Sequence, residues 1–312
     1  MLRILVAAVI LILATSLAQA ATCTVHVDDL EFGTVDAIGN SAATTTADVV
    51  INCDGITPNT DTITMCGNLG AGSGGVTGGV RRAVAGGNSL GFVLYATSGS
   101  ATPWGSITEP GLGDPRQIDI AVGSGETSAT KTVHLYATVP SGQSSAPVGE
   151  YQASFGASDA VFTYAEGDLN CSAPSGADAY ASFAVHASIT ANCVLETADL
   201  DFGTAGIIGS NIDAATDLGI TCTPGTGYDI TIDGGGSGDA DNRELRSGSD
   251  TVSYGLYSDE ARHVPWGTSP ASTVSGSGNG AQQRLDVYGR IPPQAAVAGR
   301  YTDTVVVTIF YE

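Results

Sequence analysis

Positive charge is scarce in this sequence. Its 312 residues carry 11 Lys and Arg against 32 Asp and Glu, a formal net charge of −21. Nucleic acids and anionic lipids are held by clusters of Lys and Arg, so this balance argues against both as partners. An acidic surface serves solubility and names no ligand. Helix formers are also thin: Lys and Glu are few while Gly numbers 42, which argues against helices. After residue 20 no apolar run is long enough to span a bilayer. The four histidines, His26, His134, His186 and His263, fall in no HExxH and in no metal-ligand spacing with cysteine, so no metal and no other cofactor is expected. "GNSLG" at Gly87 to Gly91 has the letters of a nucleophile elbow, but a loop precedes it and a strand pattern follows, where the elbow needs a strand and then a helix. "DGGGSGDADN" from Asp233 lacks the acidic spacing and closing Glu of a calcium loop and reads as a turn. Asp28 and Asp29 read as solvated residues at a strand end. No catalytic residues are assigned.

What is present begins with an export signal. Arg3, the apolar run "ILVAAVILILATSLA" and the A-x-A site at Ala18 to Ala20 read as a signal peptide over residues 1–20. Export to an oxidising compartment suits six cysteines, which are expected to pair.

The chain is written twice. "DLEFGT" at Asp29 to Thr34 returns as "DLDFGT" at Asp199 to Thr204, 170 positions later (199 − 29). Around it Cys23 matches Cys193, and "VVINC" ending at Cys53 matches "LGITC" ending at Cys222. "LGFVLYAT" (Leu90 to Thr97) matches "VSYGLYSD" (Val252 to Asp259), and "TPWGS" around Trp104 matches "VPWGT" around Trp266. "VHLYATVP", "VGEY" and "AVFTYAE" match "LDVYGRIP", "AGRY" and "TIFYE". The order is constant and the gaps fall in Gly/Ser/Pro stretches, as in two copies of one domain with variable loops. The repeat selects Cys23–Cys53 and Cys193–Cys222 among the possible pairings and leaves Cys66 to Cys171, a bridge expected to tie the end of the first domain to its third strand.

Within each copy apolar and polar residues alternate. Val133, Leu135, Ala137 and Val139 share one face, Thr132, His134, Tyr136 and Thr138 the other, and Gly-rich turns separate such runs. The predicted fold class is all-β: two tandem Ig-like β-sandwiches, the C-terminal one lacking its final strand. The expected division is a first domain over 21–178, a linking segment over 179–191 and a second domain over 192–312. In both copies the repeated phrase is expected to end the first strand, with Phe32 and Phe202 turned to the cores.

Two segments stand out. "AYASFAVHASI" (Ala179 to Ile189) has one face made of Ala181, Phe183, Val185, Ala187 and Ile189 with no polar residue on it. It is expected to fill a groove of the first domain from within the chain, Phe183, Val185, Ala187 and Ile189 pointing inward; the alternative is a long first strand of the second domain. At the other end "TDTVVVTIFYE" closes the second copy with no strand after it, an apolar edge that needs a cover. Its groove is expected to be lined by Val305, Val307, Ile309 and Tyr311, the alternate face being Val306, Thr308 and Phe310.

The early Cys followed by L-x-F-G (Cys23, Leu30, Phe32, Gly33; Cys193, Leu200, Phe202, Gly203), the second Cys, the L-Y and W-G region and the closing G-x-Y strand together resemble the spore coat protein U family. That family includes pilins of archaic, Csu-type chaperone–usher pili. No single motif is specific; their ordered repetition over nearly all of the chain is. The resemblance implies incomplete Ig-like domains, each completed by a strand that a periplasmic chaperone lends and a neighbouring subunit then replaces. Pilins of the family carry a donor strand before the first Cys; here almost nothing is expected between residue 20 and Cys23. The resemblance therefore implies a two-domain tip adhesin, exported to the periplasm and displayed at the pilus tip. Its implied partners are the chaperone, the outer-membrane usher, an adjacent pilin that donates a strand to the second domain, and an abiotic or host surface. It also implies adhesion and biofilm formation through apolar loops of the first domain; Val76, Val80, Ile107 and Leu112 are the candidates, with Ile38 a weaker one because Ile207 and Ile208 match it. The alternatives are a structural surface or pilus subunit of the same fold without an adhesive role and, further off, an exported carbohydrate-binding module or enzyme.

Overall fold

The computed structural model describes residues 21–99, 102–156 and 158–312; the signal-peptide reading of residues 1–20 lies outside them. The chain forms two β-sandwiches, as its alternation and Gly-rich turns predict.

The first contains β1 (Thr22–Val27), β2 (Leu30–Thr34), β3 (Ala43–Asp54), β4 (Thr62–Leu69), β5 (Val76–Thr77), β6 (Val80–Ala85), β7 (Asn88–Tyr95), β8 (Arg116–Ala121), β9 (Ser128–Val139), β10 (Gly149–Phe155), β11 (Ala160–Glu166), β12 (Ala177–Tyr180) and β13 (Phe183–Ile189). One sheet runs β1-β3-β9-β7-β6-β10-β13-β2, with β5 on β6, and the other runs β12-β11-β4-β8. The second sandwich contains β14 (Cys193–Thr197), β15 (Ile212–Cys222), β16 (Gly227–Ile232), β17 (Arg243–Ser247), β18 (Asp250–Tyr257), β19 (Val274–Ser277), β20 (Gln283–Ile291) and β21 (Val307–Tyr311). Its sheets are β14-β15-β20-β18-β17 and β19-β16-β21. The two frames superpose in topology: β1-β3-β9-β7-β6 answers to β14-β15-β20-β18-β17, and β8-β4-β11 to β19-β16-β21. We call them domain one and domain two.

Buried anchors repeat as well. The Trp104 indole N–H donates to Gly67 O at 2.8 Å, and that of Trp266 to Ile230 O at 2.9 Å. Beside them Arg81 donates to the carbonyls of Leu69, Gly70 and Trp104, and Arg243 to those of Ile232, Asp233 and Trp266. These carbonyls compensate much of the desolvation of a buried cation. Burial still lowers the Arg81 pKa to about 10 and lowers that of Arg243.

Three disulfides are present: Cys23–Cys53 and Cys193–Cys222, each joining strands paired in register, and Cys66–Cys171. Two sequence expectations need correction. The repeated phrase does not end the first strand: the chain breaks at Asp28 and Asp29, and residues 30–34 form β2, which pairs in parallel with β13. Cys66 therefore stands on the fourth strand and not the third. In domain two residues 198–211 form no strand, although Leu200 and Phe202 pack against its core.

One buried cluster spans Ala21 to Ile189, and a second is built on Leu218 to Ile291. The second is smaller and fringed by half-open apolar residues, among them Leu195, Leu200, Phe202, Tyr301, Val305, Val307 and Ile309. Only residues 190–192 separate β13 from β14.

Candidate functional site: a filled groove and an open one

Domain one has a strand at a place where domain two, among the described residues, has none. β13 lies between β10 and β2, antiparallel to the first from Gly149↔Ile189 to Phe155↔Phe183 and parallel to the second at Val185↔Leu30. The period-two pattern sends Phe183, Val185, Ala187 and Ile189 into the core, each at most 5 % exposed. Burying a Phe, Val or Ile side chain stabilises by roughly 1.5–3 kcal/mol. The Phe183 ring stacks on Phe155 at 4.4 Å, and Phe92 meets Phe155 edge-on. Asp29, the first residue of the repeated phrase, accepts the Ala184 N–H at 2.6 Å; it is a strand anchor and not merely solvated, as the sequence led us to expect. Just upstream, β12 pairs with β11 from Tyr164↔Ala177 to Val161↔Tyr180. Residues 177–189 thus follow β11 and then β10, changing sheets at Ala181 and Ser182.

In domain two the strips that would flank such a strand are not strands. The counterpart of β10 is residues 299–305: Tyr151 donates to Pro147 O, and Tyr301 to Val297 O, both at 2.8 Å. Its ladder is a single bridge, Arg246↔Thr302. The counterpart of β2 is residues 200–204, also without a ladder. In domain one both strips pair with β13, so the loss of one shared partner accounts for both. β21 pairs with β16 through Ile230↔Ile309 and Tyr228↔Tyr311, and its outer edge, where β12 lies in domain one, is unpaired among the described residues.

The inner face of β21 contains Val307 and Ile309, both half-buried, and Tyr311, 44 % exposed; Val305, expected on the same strand, instead ends the strip that answers to β10 and is also half-buried. Ala160, Phe162 and Tyr164, which correspond to Val307, Ile309 and Tyr311, are 0 %, 0 % and 6 % exposed. Val306 and Phe310 point outward at 57 % and 60 %. One inward residue is charged. Asp303 stands where domain one has the buried Ala153. Its Oδ2 accepts the Tyr254 hydroxyl at 2.7 Å, and its Oδ1 accepts the N–H groups of Gly236 and Thr304 at 2.8 and 2.9 Å. Burial, the hydrogen bond and the adjacent carboxylate push the Tyr254 phenol well above its ordinary pKa. Gly235 (φ +54°) lets the loop sit against that carboxylate, where a Cβ would clash with Asp303 Oδ2.

The candidate contact loops fall at two ends of domain one. Gly72 lies on the Phe155 ring and Ser73 bonds Ser154, so the loop before β6 caps the Phe183 end of β13. Gly79 packs on Gly111, and the Ile107 N–H donates to Asn68 at 2.7 Å, which brings residues 105–113 to the same end. Val76 and Val80 are half-buried and Ile107 is 44 % exposed. Leu112 is 4 % exposed; packed inside its loop, it is no surface contact, which corrects the sequence expectation. The loop of Ile38 lies at the opposite end: Val35 N–H donates to Ser188 O, and Asn192 reaches Asp36 beside the link to domain two.

Several polar groups singled out in the sequence have structural partners. His26 pairs with Asp28 and His134 with Asp48, both at the surface. Asp233 accepts the N–H groups of Gly235 and Val306, and Asp239 those of Asp241 and the Asn242 amide, so the "DGGGSGDADN" carboxylates organise a turn. Sequence reasoning passed over Asp29, Asp303, Tyr301 and the Arg81/Arg243 pair. Extending the repeat alignment from Trp104 and Trp266 back to the preceding arginines would have found that pair.

The family described as Spore Coat Protein U domain matches residues 9–158 and again 179–308. Among curated proteins none matches the chain by sequence. Among solved structures, one chain of the CsuC–CsuE chaperone–tip adhesion subunit pre-assembly complex from the archaic chaperone–usher Csu pili of Acinetobacter baumannii shares the fold at a TM-score of 0.52 and 16% identity, over 92% of this chain and 99% of that one. The CupB6 tip adhesin from Pseudomonas aeruginosa aligns at a TM-score of 0.39 and 13% identity, over 93% of this chain and 94% of its own.

Proposed function

The chain belongs to the Spore Coat Protein U domain family, and from that premise we propose that it is a pilus tip adhesin assembled by donor-strand complementation at domain two. The observation that carries this reading is a contrast: the domain-one counterparts of residues 299–305 and 200–204 both pair with β13, whereas these two segments pair with no such strand among the described residues and the apolar side chains on and beside them are only half-buried. An open sheet edge beside exposed apolar side chains is a template for an added strand. A periplasmic chaperone first supplies it, and an adjacent pilin delivered to the outer-membrane usher replaces it. Domain one meets that need inside the chain, its donor being Phe183, Val185, Ala187 and Ile189. Val305, Val307, Ile309 and Tyr311 line the acceptor, with Tyr301, Leu200 and Phe202 added from the structure. Asp199, the counterpart of Asp29, receives a backbone N–H of the incoming strand.

Domain one is the adhesive head. Val76, Val80 and Ile107 share the end away from domain two and form the contact with an abiotic or host surface that leads to biofilm. Nothing in this reading calls for catalysis or a cofactor. A structural subunit without an adhesive role is the alternative.

The test is co-expression with the cognate chaperone followed by hydrogen exchange of the purified complex. The proposal expects a one-to-one complex in which amides of residues 299–311 become protected, and a chain that aggregates when made alone. A stable monomer with those amides already protected would overturn it. Val76→Ser with Ile107→Asp separates the two readings: lost attachment to plastic with normal assembly marks an adhesin, and unchanged attachment marks the structural subunit.

A further inference from the structure

We propose that Asp303 selects the sequence of the strand that domain two accepts, demanding a hydrogen-bond-donating side chain at the position that Val185 occupies in domain one. This inference rests on reading domain two as a strand acceptor. In domain one Ala153 lies directly opposite Val185 on the buried face of the β10–β13 ladder. Directly opposed residues of an antiparallel pair have Cβ atoms about 4.5–5.5 Å apart. Domain two keeps the frame and replaces Ala153 with Asp303, and Phe92 with Tyr254. An all-apolar level of the groove has become polar.

The carboxylate is only partly provided for. It takes up the Tyr254 hydroxyl and the N–H groups of Gly236 and Thr304, and a carboxylate offers about four acceptor sites. The nearby Arg243 spends Nε and Nη2 on the carbonyls of Ile232, Asp233 and Trp266. While the strand is absent, Asp303 is only half-buried and the remaining site is open to solvent. A seated strand displaces that solvent. An apolar side chain opposite Asp303 then leaves the fourth lone-pair site of the carboxylate buried without a donor, whereas a hydroxyl, amide or amine fills it. The segment that completes domain one, with Val185 at this level, is therefore a poor fit for domain two.

The probes are two peptides: residues 177–190 of this chain, and the same peptide with Val185→Thr, which keeps the side-chain shape and adds a hydroxyl. Each is labelled and titrated into the full chain refolded with its disulfides intact, and binding is read by fluorescence anisotropy. The unsubstituted chain is expected to hold the Thr peptide about tenfold tighter or more, the scale of one buried unpaired acceptor. Asp303→Ala is expected to reverse the order, and Asp303→Asn, which keeps the shape, to narrow it. Equal affinities in the unsubstituted chain, or a preference that survives both substitutions, overturns the role of Asp303 and leaves the acceptor reading in place. Failure of either peptide to bind any of the three chains overturns the acceptor reading itself, and this inference with it.

Discussion

Phe162 of domain one and Ile309 of domain two hang from the same point of the fold, each opposite the residue whose carbonyl a buried tryptophan grips. Phe162 is sealed from water and Ile309 is half open. The strands beneath them, the tryptophans and the arginines are alike, so the frame does not cause the difference. Residues 177–189 mark it: they close domain one along both sheets, and among the described residues no strand takes that place in domain two. A sandwich of this kind carries most of its framework within its own strands, and the last strand decides whether its core is closed.

The comparison breaks most sharply if the filling strand is spoiled. Phe183→Asp with Val185→Asp puts two charges into the closed core, each costing several kcal/mol, and domain one should lose its protease resistance and its cooperative melting transition. The converse should bring the domains closer together in stability, short of the mismatch of Val185 with Asp303. Appending a second copy of residues 177–189 after Glu312 through a flexible linker should raise the melting temperature of domain two by about 10 °C or more, read by calorimetry. Carrying Val185→Thr in that copy should raise it further. Third comes the bridge that domain two lacks. Cys66–Cys171 closes 105 residues, and replacing both cysteines with Ser should lower the stability of domain one by about 4 kcal/mol in denaturant titration, leaving domain two unchanged. Asp199→Ala should weaken complementation of domain two by about 1 kcal/mol, seen as faster dissociation of a bound donor peptide.

The smallest expected effect is on acid stability. The Thr57 N–H and the Thr60 hydroxyl hold the Glu166 carboxyl below its ordinary pKa. A carboxyl whose folded pKa is lowered stabilises fully above its unfolded value and loses that contribution as pH falls through the folded one. Glu166→Gln should flatten the acid limb of domain one's stability curve by a few tenths of a kcal/mol, with no change in domain two.

The fold class was legible because period two, paired cysteines and Gly-rich turns are local signals that a duplicated sequence states twice. Where strands break was less legible. Asp28 and Asp29 interrupt what reads as one strand, because β2 takes its partner from Val185 and His186, more than 150 residues along the chain. The same phrase in domain two stays irregular, so its conformation depends on a partner strand and not on its own letters. Leu112 shows the limit of reading loops by composition: an apolar residue in a Gly/Pro stretch looks exposed until the short turn that folds over it is seen. Asp303 was hidden differently. The alternation identified inward positions of the last strand from Val305 onward, and a carboxylate two residues earlier gave no reason to extend them until Ala153 was seen at the same place.

The short link between the domains has a mechanical consequence. Residues 190–192 pass directly from β13 into β14, so any tension drawn through domain two enters domain one along the axis of β13. β13 is hydrogen-bonded on both sides, from Gly149↔Ile189 to Phe155↔Phe183 on one and at Val185↔Leu30 on the other. Such a pull shears many bonds together instead of peeling them singly from an end. Should the strand slide free, the chain behind it is fixed at Cys171 to Cys66 on β4. Only the 19 residues that follow Cys171, up to Thr190 (190 − 171), can then pay out, a tether of about 65 Å at full extension. Domain one is thus both clamped and leashed by the segment that completes it.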